Sequence, residues 1–226
     1  MATLIAIGKR LEIPGDLHTL EDFRHWTYSN KFPKRGRIDY VQGRIEVRMS
    51  PEDLFTHGSP KFEAGRVIGN VTARLKHGKC FVDCTRFASL PGDLSVEPDL
   101  LFIANESLQN GQVRLITSPT KKRGRYIEIE GAADLAVEVV SDSSVKKDTR
   151  FLPPAYFAAG VREFWLIDAR KQVLRFVIHE RGATEFVPVA VDADGWQYST
   201  VMRHHFRLVR TTDELNHWVY ELQTRE

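Results

Sequence analysis

The stretch that decides the fold is DLAVEVVSDSSVKKD, residues 134–148. Residues 135–140 form a short β-branched apolar run that is typical of a buried strand, but Glu138 lies in its middle. Isolating an ionised carboxylate in an apolar interior is strongly unfavourable unless the group is protonated, paired or bound to a metal. The stretch therefore predicts a buried strand whose glutamate needs a partner from elsewhere in the chain.

A second carboxylate with a similar context is Asp99, which follows a proline and opens the apolar strand predicted at 98–104. If the two strands are neighbours, Asp99 and Glu138 can converge on one cation, because Mg²⁺ prefers carboxylate oxygens with open water positions. In the alternative interpretation, Asp99 caps the start of its strand and Glu138 pairs with a nearby arginine. The residues alone leave both interpretations open.

The remaining chain predicts a single α/β domain over 1–226, without an internal repeat or a long linker. Apolar periodicity and capping residues predict helices at 18–29, 59–79 and 150–159, and a closing helix at 212–223. Alternation predicts a hairpin at 37–50, and further strands at 80–90, 98–104, 135–140, 162–169, 173–180 and 184–191. We expect residues 105–131 to be an irregular excursion, and residues 181–226 to hold a β-meander and the closing helix.

Composition narrows the classes of function. The net charge of the 226 residues is only +2, so nucleic-acid binding would need a local basic patch such as KKRGR at 121–125. No stretch of 18 apolar residues exists and the N-terminal apolar run is too short for a signal peptide, so we expect no membrane association. Phosphate-loop, serine-elbow and dinucleotide-binding motifs are also absent from the sequence.

The two cysteines, Cys80 and Cys84, indicate a reducing compartment. On one strand they would lie about 13 Å apart, which is too far for a disulfide. Two sulfurs alone also make a poor zinc site. We therefore predict reduced thiols and a cytoplasmic protein.

Several segments together resemble the Uma2 family of restriction-endonuclease-like proteins, which belongs to the PD-(D/E)XK nuclease superfamily. They are EPDLLFI at 97–103, LAVEVVSDSSVKKD at 135–148, PAYFAAGVREFWLID at 154–168 and the hairpin RIDYVQGRIEVRMSPED at 37–53. The resemblance covers about residues 20–180. It implies a restriction-endonuclease-like core with a mixed β-sheet flanked by helices, here with an N-terminal hairpin and a C-terminal β-meander.

The resemblance also implies roles for individual residues. Asp99 and Glu138 match the two acidic positions of the superfamily motif and would ligate Mg²⁺ or Mn²⁺, with the backbone carbonyl of Val139 as a further ligand. The early helix of this fold often adds an acid, for which Glu63 or, on the hairpin, Asp39 are candidates; the alternative is that each is a solvated surface carboxylate. His57 is interpreted as a helix-entry residue or, alternatively, as a support for the metal ligands.

The superfamily lysine is missing from its expected places. Val140 lies two residues after Glu138, and Leu152 lies four residues before Tyr156, where the family carries its lysine. We predict that Lys147 reaches the site from the intervening loop. The alternative is that the loop is solvated and that Asp148 caps the next helix.

The resemblance implies a metal-dependent endonuclease acting on DNA, with Asp99, Glu138 and Lys147 as catalytic residues. If the protein binds DNA, the basic loop predicts phosphate contacts by Lys121, Lys122, Arg123 and Arg125; the alternative is that this short loop is solvated. The missing lysine favours an alternative, a catalytically impaired nuclease-fold module that binds DNA or protein without cutting. A third hypothesis is a structural protein that uses its C-terminal β-meander as a homodimer surface, supported by its aromatic residues Phe176, Phe186, Trp196 and Trp218.

Overall fold

The computed structural model describes residues 5–6, 11–117 and 124–226. Its helices are α1 (Leu20–Thr27), α2 (Ser59–Leu75), α3 (Asn105–Gln109) and α4 (Leu152–Ala158). Five-residue π-helical turns at Leu54–Gly58 and Lys147–Phe151 lead directly into α2 and α4.

Strands make up most of the regular structure. They are β1 (Ile5–Ala6), β2 (Glu12–Ile13), β3 (Arg37–Val41), β4 (Arg44–Arg48), β5 (Gly78–Val82), β6 (Arg86–Ser89), β7 (Leu94–Val96), β8 (Leu100–Ala104), β9 (Val113–Thr117), β10 (Tyr126–Gly131), β11 (Leu135–Val139), β12 (Glu163–Asp168), β13 (Arg175–Arg181), β14 (Phe186–Pro188), β15 (Gln197–Ser199), β16 (His204–Thr212) and β17 (Trp218–Arg225).

The central layer is a six-stranded mixed sheet in the order β14-β13-β12-β11-β8-β5. β11 lies in its middle, parallel to β12 and antiparallel to β8, and all five of its residues are buried. A strand that is covered on both faces reads as a continuous apolar run, which explains why the sequence signal at 135–140 is so clear.

The second six-stranded sheet, β4-β3-β7-β6-β10-β9, packs with α4 against one face of the central sheet. Its apolar contacts include Phe87, Ile129, Ala136, Tyr156 and Phe164. On the opposite face, α2 and the C-terminal meander β15-β16-β17 close a second core. The central sheet is therefore covered on both sides, and the restriction-endonuclease-like arrangement expected from the sequence is confirmed.

α1 lies within the segment predicted as a helix at 18–29. Thr19 is its N-cap and makes a reciprocal capping box with Asp22, which satisfies backbone N–H groups that the first helical turn leaves free. Phe23 and Trp26 on this helix pack against Tyr40 of β3. α1 is thereby fixed to the hairpin β3–β4.

Two expectations about secondary structure are wrong. The segment predicted as a closing helix forms β17, which pairs with β16 over eight residues. Its buried residues Tyr220 and Leu222 alternate with the exposed Val219 and Glu221, which is the period of a strand and not of a helix. The excursion at 105–131 also contains regular structure, namely α3, β9 and β10.

The predicted strand at 80–90 is divided in two. Cys84 has a positive φ of 56° and lies in the turn between β5 and β6, which belong to different sheets. Both cysteine thiols are free. Among the described residues, no helix is long and apolar enough to cross a membrane.

One buried carboxylate fixes the C-terminal meander to the central sheet. Glu163, at the start of β12, is 1% exposed. It accepts hydrogen bonds from Ser199 Oγ at 2.6 Å, Thr200 Oγ1 at 2.9 Å, the Val201 N–H at 2.9 Å and Trp165 Nε1 at 3.1 Å. Four donors, one on β12 itself and three at residues 199–201, thus depend on one side chain.

We expect Glu163→Ala to lower the free energy of unfolding by about 3 kcal/mol or more, because it leaves several buried donors without an acceptor. Urea unfolding measures this change. The control is Glu180→Ala, since the exposed Glu180 lies opposite Glu163 on β13; it should change stability by less than about 0.5 kcal/mol. Similar losses from both variants would contradict this role for Glu163.

Candidate functional site

The neighbouring strands β8 and β11 bring the two carboxylates together where β8 begins and β11 ends. Leu100 pairs with Val137 in antiparallel register, so Asp99 and Glu138 follow as the next opposed positions. The backbone N–H of Val139 donates to Asp99 Oδ2 at 2.8 Å. Asp99 and Glu138 are each 1% exposed. Two buried acids therefore face the same end of the central sheet.

Glu138 is held at only one of its oxygens. Tyr156 Oη donates to Oε1 at 2.5 Å, whereas the buried Oε2 has no hydrogen-bond partner among the described residues. Burial raises the pKa of Glu138 to about 8; Lys147 opposes this shift, and the charges of Asp148 and Asp99 add to it. The carboxylate thus has one fixed oxygen and one oxygen available to a cation.

Asp99 lies among cationic groups. Arg37 Nη1 donates to Oδ1 at 3.1 Å, and Lys61 Nζ lies 3.9 Å from the same oxygen. His57 Nε2 lies 3.5 Å from Oδ2. Burial alone would raise the pKa of Asp99, but His57, Arg37 and Lys61 hold it well below its usual value. Asp99 is therefore an anion at neutral pH.

Lys147 reaches this centre from the π-helical turn before α4. Its side chain is buried, and Nζ donates to Asp39 Oδ2 at 2.9 Å and lies 3.7 Å from Asp148 Oδ1. Burial opposes the charge, but Asp39, Glu138 and Asp148 raise the pKa of Lys147 above its usual value. The structure thus places an ammonium beside the acids, although neither Val140 nor Leu152 can supply one.

Asp39, the hairpin candidate, belongs to the same cluster. It is 1% exposed, and its Oδ1 accepts the backbone N–H of Glu97 at 3.0 Å. Burial would raise its pKa, but Lys147, Arg86 and Arg37 lower it below the usual value. Asp39 is therefore not a solvated surface carboxylate but the partner that holds Lys147.

Other predicted residues lie elsewhere. Glu63 faces the C-terminal meander, where its carboxylate accepts from Arg66 and from the backbone N–H of Leu222. It does not join Asp99 and Glu138. Arg125 is exposed just before β10. The predicted DNA contacts Lys121, Lys122 and Arg123 lie outside the described residues.

The sequence did not indicate Glu52 as a site residue, and it indicated His57 only as a helix-entry residue or a support for the metal ligands. His57, in the π-helical turn before α2, is fully buried; Nδ1 lies 2.9 Å from Glu52 Oε2, and neither nitrogen forms an aligned hydrogen bond within the described part of the chain. Burial lowers the pKa of His57, but Asp99 and Glu52 together raise it to about 9. Ligand atoms of Glu52, His57 and Asp99 all lie within 4.8 Å of one another.

Asp148 is a further acid of the cluster and does not serve as a solvated cap. Ser144 donates a short hydrogen bond to its Oδ2, while the buried Oδ1 has no partner in the described ranges. Burial raises its pKa to about 6, against the opposing charge of Lys147. No pattern in VKKDT distinguishes Asp148 from a surface residue.

The donor set fits a divalent metal ion. Asp99 and Glu138 offer carboxylate oxygens, and hard cations such as Mg²⁺ and Mn²⁺ prefer oxygen ligands. Glu138 Oε2 and Asp148 Oδ1 are buried acceptors that have no partner among the described residues. A bound cation would satisfy such oxygens and lower the cost of burying their charge.

A small cleft lies beside this cluster, at Asp39 and Lys147. This cleft, with a volume of about 20 Å³, opens between the hairpin β3–β4 and the start of the π-helical turn. Its walls include Arg37, Asp39, Arg48, Ser143 and Lys147. Arg48 also donates to Ser141 Oγ at 3.1 Å, which ties β4 to the segment that follows β11.

A mixed central sheet with paired carboxylates at one end of two inner strands is typical of a restriction-endonuclease-like fold. The chain belongs to the Uma2 family, described as "Putative restriction endonuclease", whose model matches residues 20–208. A solved structure of similar fold is that of a "putative nuclease belonging to DUF820" from Anabaena variabilis ATCC 29413. The two chains are 19% identical with a TM-score of 0.54, covering 82% of this chain and 90% of that one. No curated protein matches the sequence.

We predict that the metal-free protein becomes less stable as the pH rises from about 6.5 to 9. The pKa of Glu138 is raised from 4.5 to about 8 and that of His57 from 6.5 to about 9. Over this range the folded state binds protons that the unfolded state has released, so raising the pH withdraws stability. Urea unfolding in a chelator at several pH values measures the slope.

Glu138→Gln removes one of the two titrating groups and should flatten that slope. The control is Glu180→Gln, which changes an exposed glutamate of β13 and should leave the slope unchanged. Stability that increases between pH 6.5 and 9 would contradict both shifts.

Proposed function

We propose that the protein is a divalent-metal-dependent endonuclease that hydrolyses phosphodiester bonds in DNA. The observation that carries this proposal is the pair Asp99 and Glu138, buried on adjacent strands with one Glu138 oxygen free of hydrogen bonds within the described chain. The nuclease family to which the chain belongs supports the same chemistry. Free thiols at Cys80 and Cys84 fit a reducing compartment such as the cytoplasm.

Asp99 and Glu138, with the backbone carbonyl of Val139, would hold Mg²⁺ or Mn²⁺. When bound, such an ion lowers the pKa of a coordinated water and stabilises charge on the phosphate. Asp99 is already ionised at neutral pH because of its cationic neighbours. Tyr156 donates to one oxygen of Glu138, and the other oxygen would be available to the ion.

Lys147 acts as a cation in this proposal and not as a general base. Its pKa is raised, so it stays protonated at neutral pH and can donate hydrogen bonds to the attacking water or to a phosphate oxygen. Asp39 positions the ammonium through a buried ion pair. This arrangement supplies from the π-helical turn the charge that the superfamily carries two residues after its glutamate.

Contacts with the DNA backbone are proposed for Lys121, Lys122, Arg123 and Arg125, the basic segment before β10. Phosphate contacts of this kind add affinity without sequence preference and weaken as salt is added. These contacts would position the duplex, whereas the metal site at Asp99 and Glu138 would act on one phosphodiester bond.

One observation favours a second candidate, a nuclease-fold module that binds DNA without cutting it. Asp99 and Glu138 are each 1% exposed, so a DNA phosphate does not reach them in this arrangement. Cleavage therefore requires the segments around these acids to move apart. A module that had lost catalysis would not need this movement.

We predict that Asp99→Asn and Glu138→Gln each reduce cleavage by about a hundredfold or more, because each removes a metal ligand. The assay is nicking of supercoiled plasmid DNA with Mg²⁺ or Mn²⁺. Glu63→Gln is the matched control, since Glu63 is an acid that lies outside the cluster, and it should retain cleavage. Equal nicking by wild type and both variants would exclude the metal site, and DNA binding without nicking by any of them would support the second candidate.

Lys147→Ala should lower the cleavage rate by about a hundredfold, and Lys147→Arg should retain part of it because the positive charge remains. Asp39→Asn should also lower the rate, since it removes the partner that positions Lys147. The measurement is single-turnover cleavage at fixed metal concentration. The matched control is Lys146→Ala, which removes the neighbouring lysine of the same loop and should leave the rate unchanged. Full activity of Lys147→Ala would remove this residue from the mechanism.

A further inference from the structure

A second lysine, Lys61, lies close to Asp99 on the side away from Val139, beside Glu52 and Asp83. It lies in the first turns of α2, and its Nζ is 2.6 Å from Glu52 Oε2 and 3.1 Å from Asp83 Oδ1. The same atom is 3.9 Å from Asp99 Oδ1. Three carboxylates from separate segments therefore surround one flexible ammonium.

Two of these carboxylates also belong to a group of three side chains that could together hold a metal ion. Glu52 and Asp99 lie with His57 so that their ligand atoms are within 4.8 Å of one another. His57 is fully buried, and neither of its nitrogens has an aligned hydrogen bond to any described residue. Once His57 has released its proton, two carboxylates and an imidazole suit a cation that accepts nitrogen and oxygen ligands, such as Mn²⁺.

The ammonium and a metal ion compete for this place. The Lys61 ammonium lies among three carboxylates, those of Glu52, Asp83 and Asp99, and so occupies the position that a cation would take. Arg37 adds a further positive charge, donating to Asp99 and to Asp83. Like charges a few ångströms apart repel strongly in a partly buried site, so a divalent ion is disfavoured while Lys61 remains there.

We propose that Lys61 takes the place of a second metal ion. On this assignment, one divalent ion binds at Asp99 and Glu138, and the Lys61 ammonium provides the second positive charge on the Oδ1 side of Asp99. The inference rests on the proposed function, because it presumes the metal site at Glu138. It assigns to Lys61 a role distinct from that of Lys147, which contacts Asp39.

The test is the number of Mn²⁺ ions bound per chain, measured by equilibrium dialysis and by the electron paramagnetic resonance signal of free Mn²⁺. Wild type and Lys61→Arg should bind one ion, because both keep a positive charge at this position. Lys61→Ala should bind two ions, and adding Glu52→Gln to Lys61→Ala should remove the second. Lys79→Ala is the matched control, since the Nζ of this β5 lysine donates to Asn105 Oδ1, and it should bind one ion.

Two ions in wild type would overturn the inference, and so would one ion in both wild type and Lys61→Ala; neither result affects the proposed metal site at Glu138. If wild type binds no ion, the proposed function fails. In that case one ion in Lys61→Ala supports a cation position that Lys61 fills, and no ion in Lys61→Ala overturns it. Circular dichroism melts check that the variants fold. Lys61→Gln provides a second neutral substitution that keeps a polar side chain, and the same counts apply to it.

Discussion

The hydrogen bond from the Val139 N–H to Asp99 Oδ2 is the interaction on which the site depends. It joins the start of β8 to the end of β11, at the point where the backbone ladder between these strands stops. A shift by one residue would turn Glu138 to the opposite face of the sheet, because side chains alternate along a strand. The bond therefore fixes which carboxylate faces Asp99, and the cations around Asp99 assemble at that position.

The cluster is stable because nearly every charge in it, buried or partly buried, has a partner of opposite sign. Asp39 pairs with Lys147, Asp99 with Arg37, and Glu52 with Arg48 and Lys61. Removing one member of such a buried pair leaves an uncompensated charge, which is strongly destabilising. Glu138 differs because its raised pKa reflects burial that its cationic neighbour does not fully offset. It is the acid with most to gain from a bound metal ion.

The position of the lysine illustrates what a motif can and cannot indicate. Val140 is fully buried in the apolar cluster shared with the second sheet, so a lysine there would displace core packing. Lys147 arrives instead through a π-helical turn, in which both it and Asp148 are buried. Its partner Asp39 lies 108 positions away in the sequence. Sequence spacing alone can suggest Lys147 as a substitute, but the distant hairpin decides where its ammonium lies.

The sequence by itself determined the features that depend on neighbours along the chain: the buried strand with Glu138, the proline-led strand of Asp99 and the capping box of α1. Local periodicity and backbone geometry produce such signals. Only the tertiary structure decided that residues 218–225 form a strand, that Glu63 faces the meander, and that Glu52, His57 and Lys61 surround Asp99. These outcomes depend on pairing and burial between segments far apart in sequence, which no local pattern records.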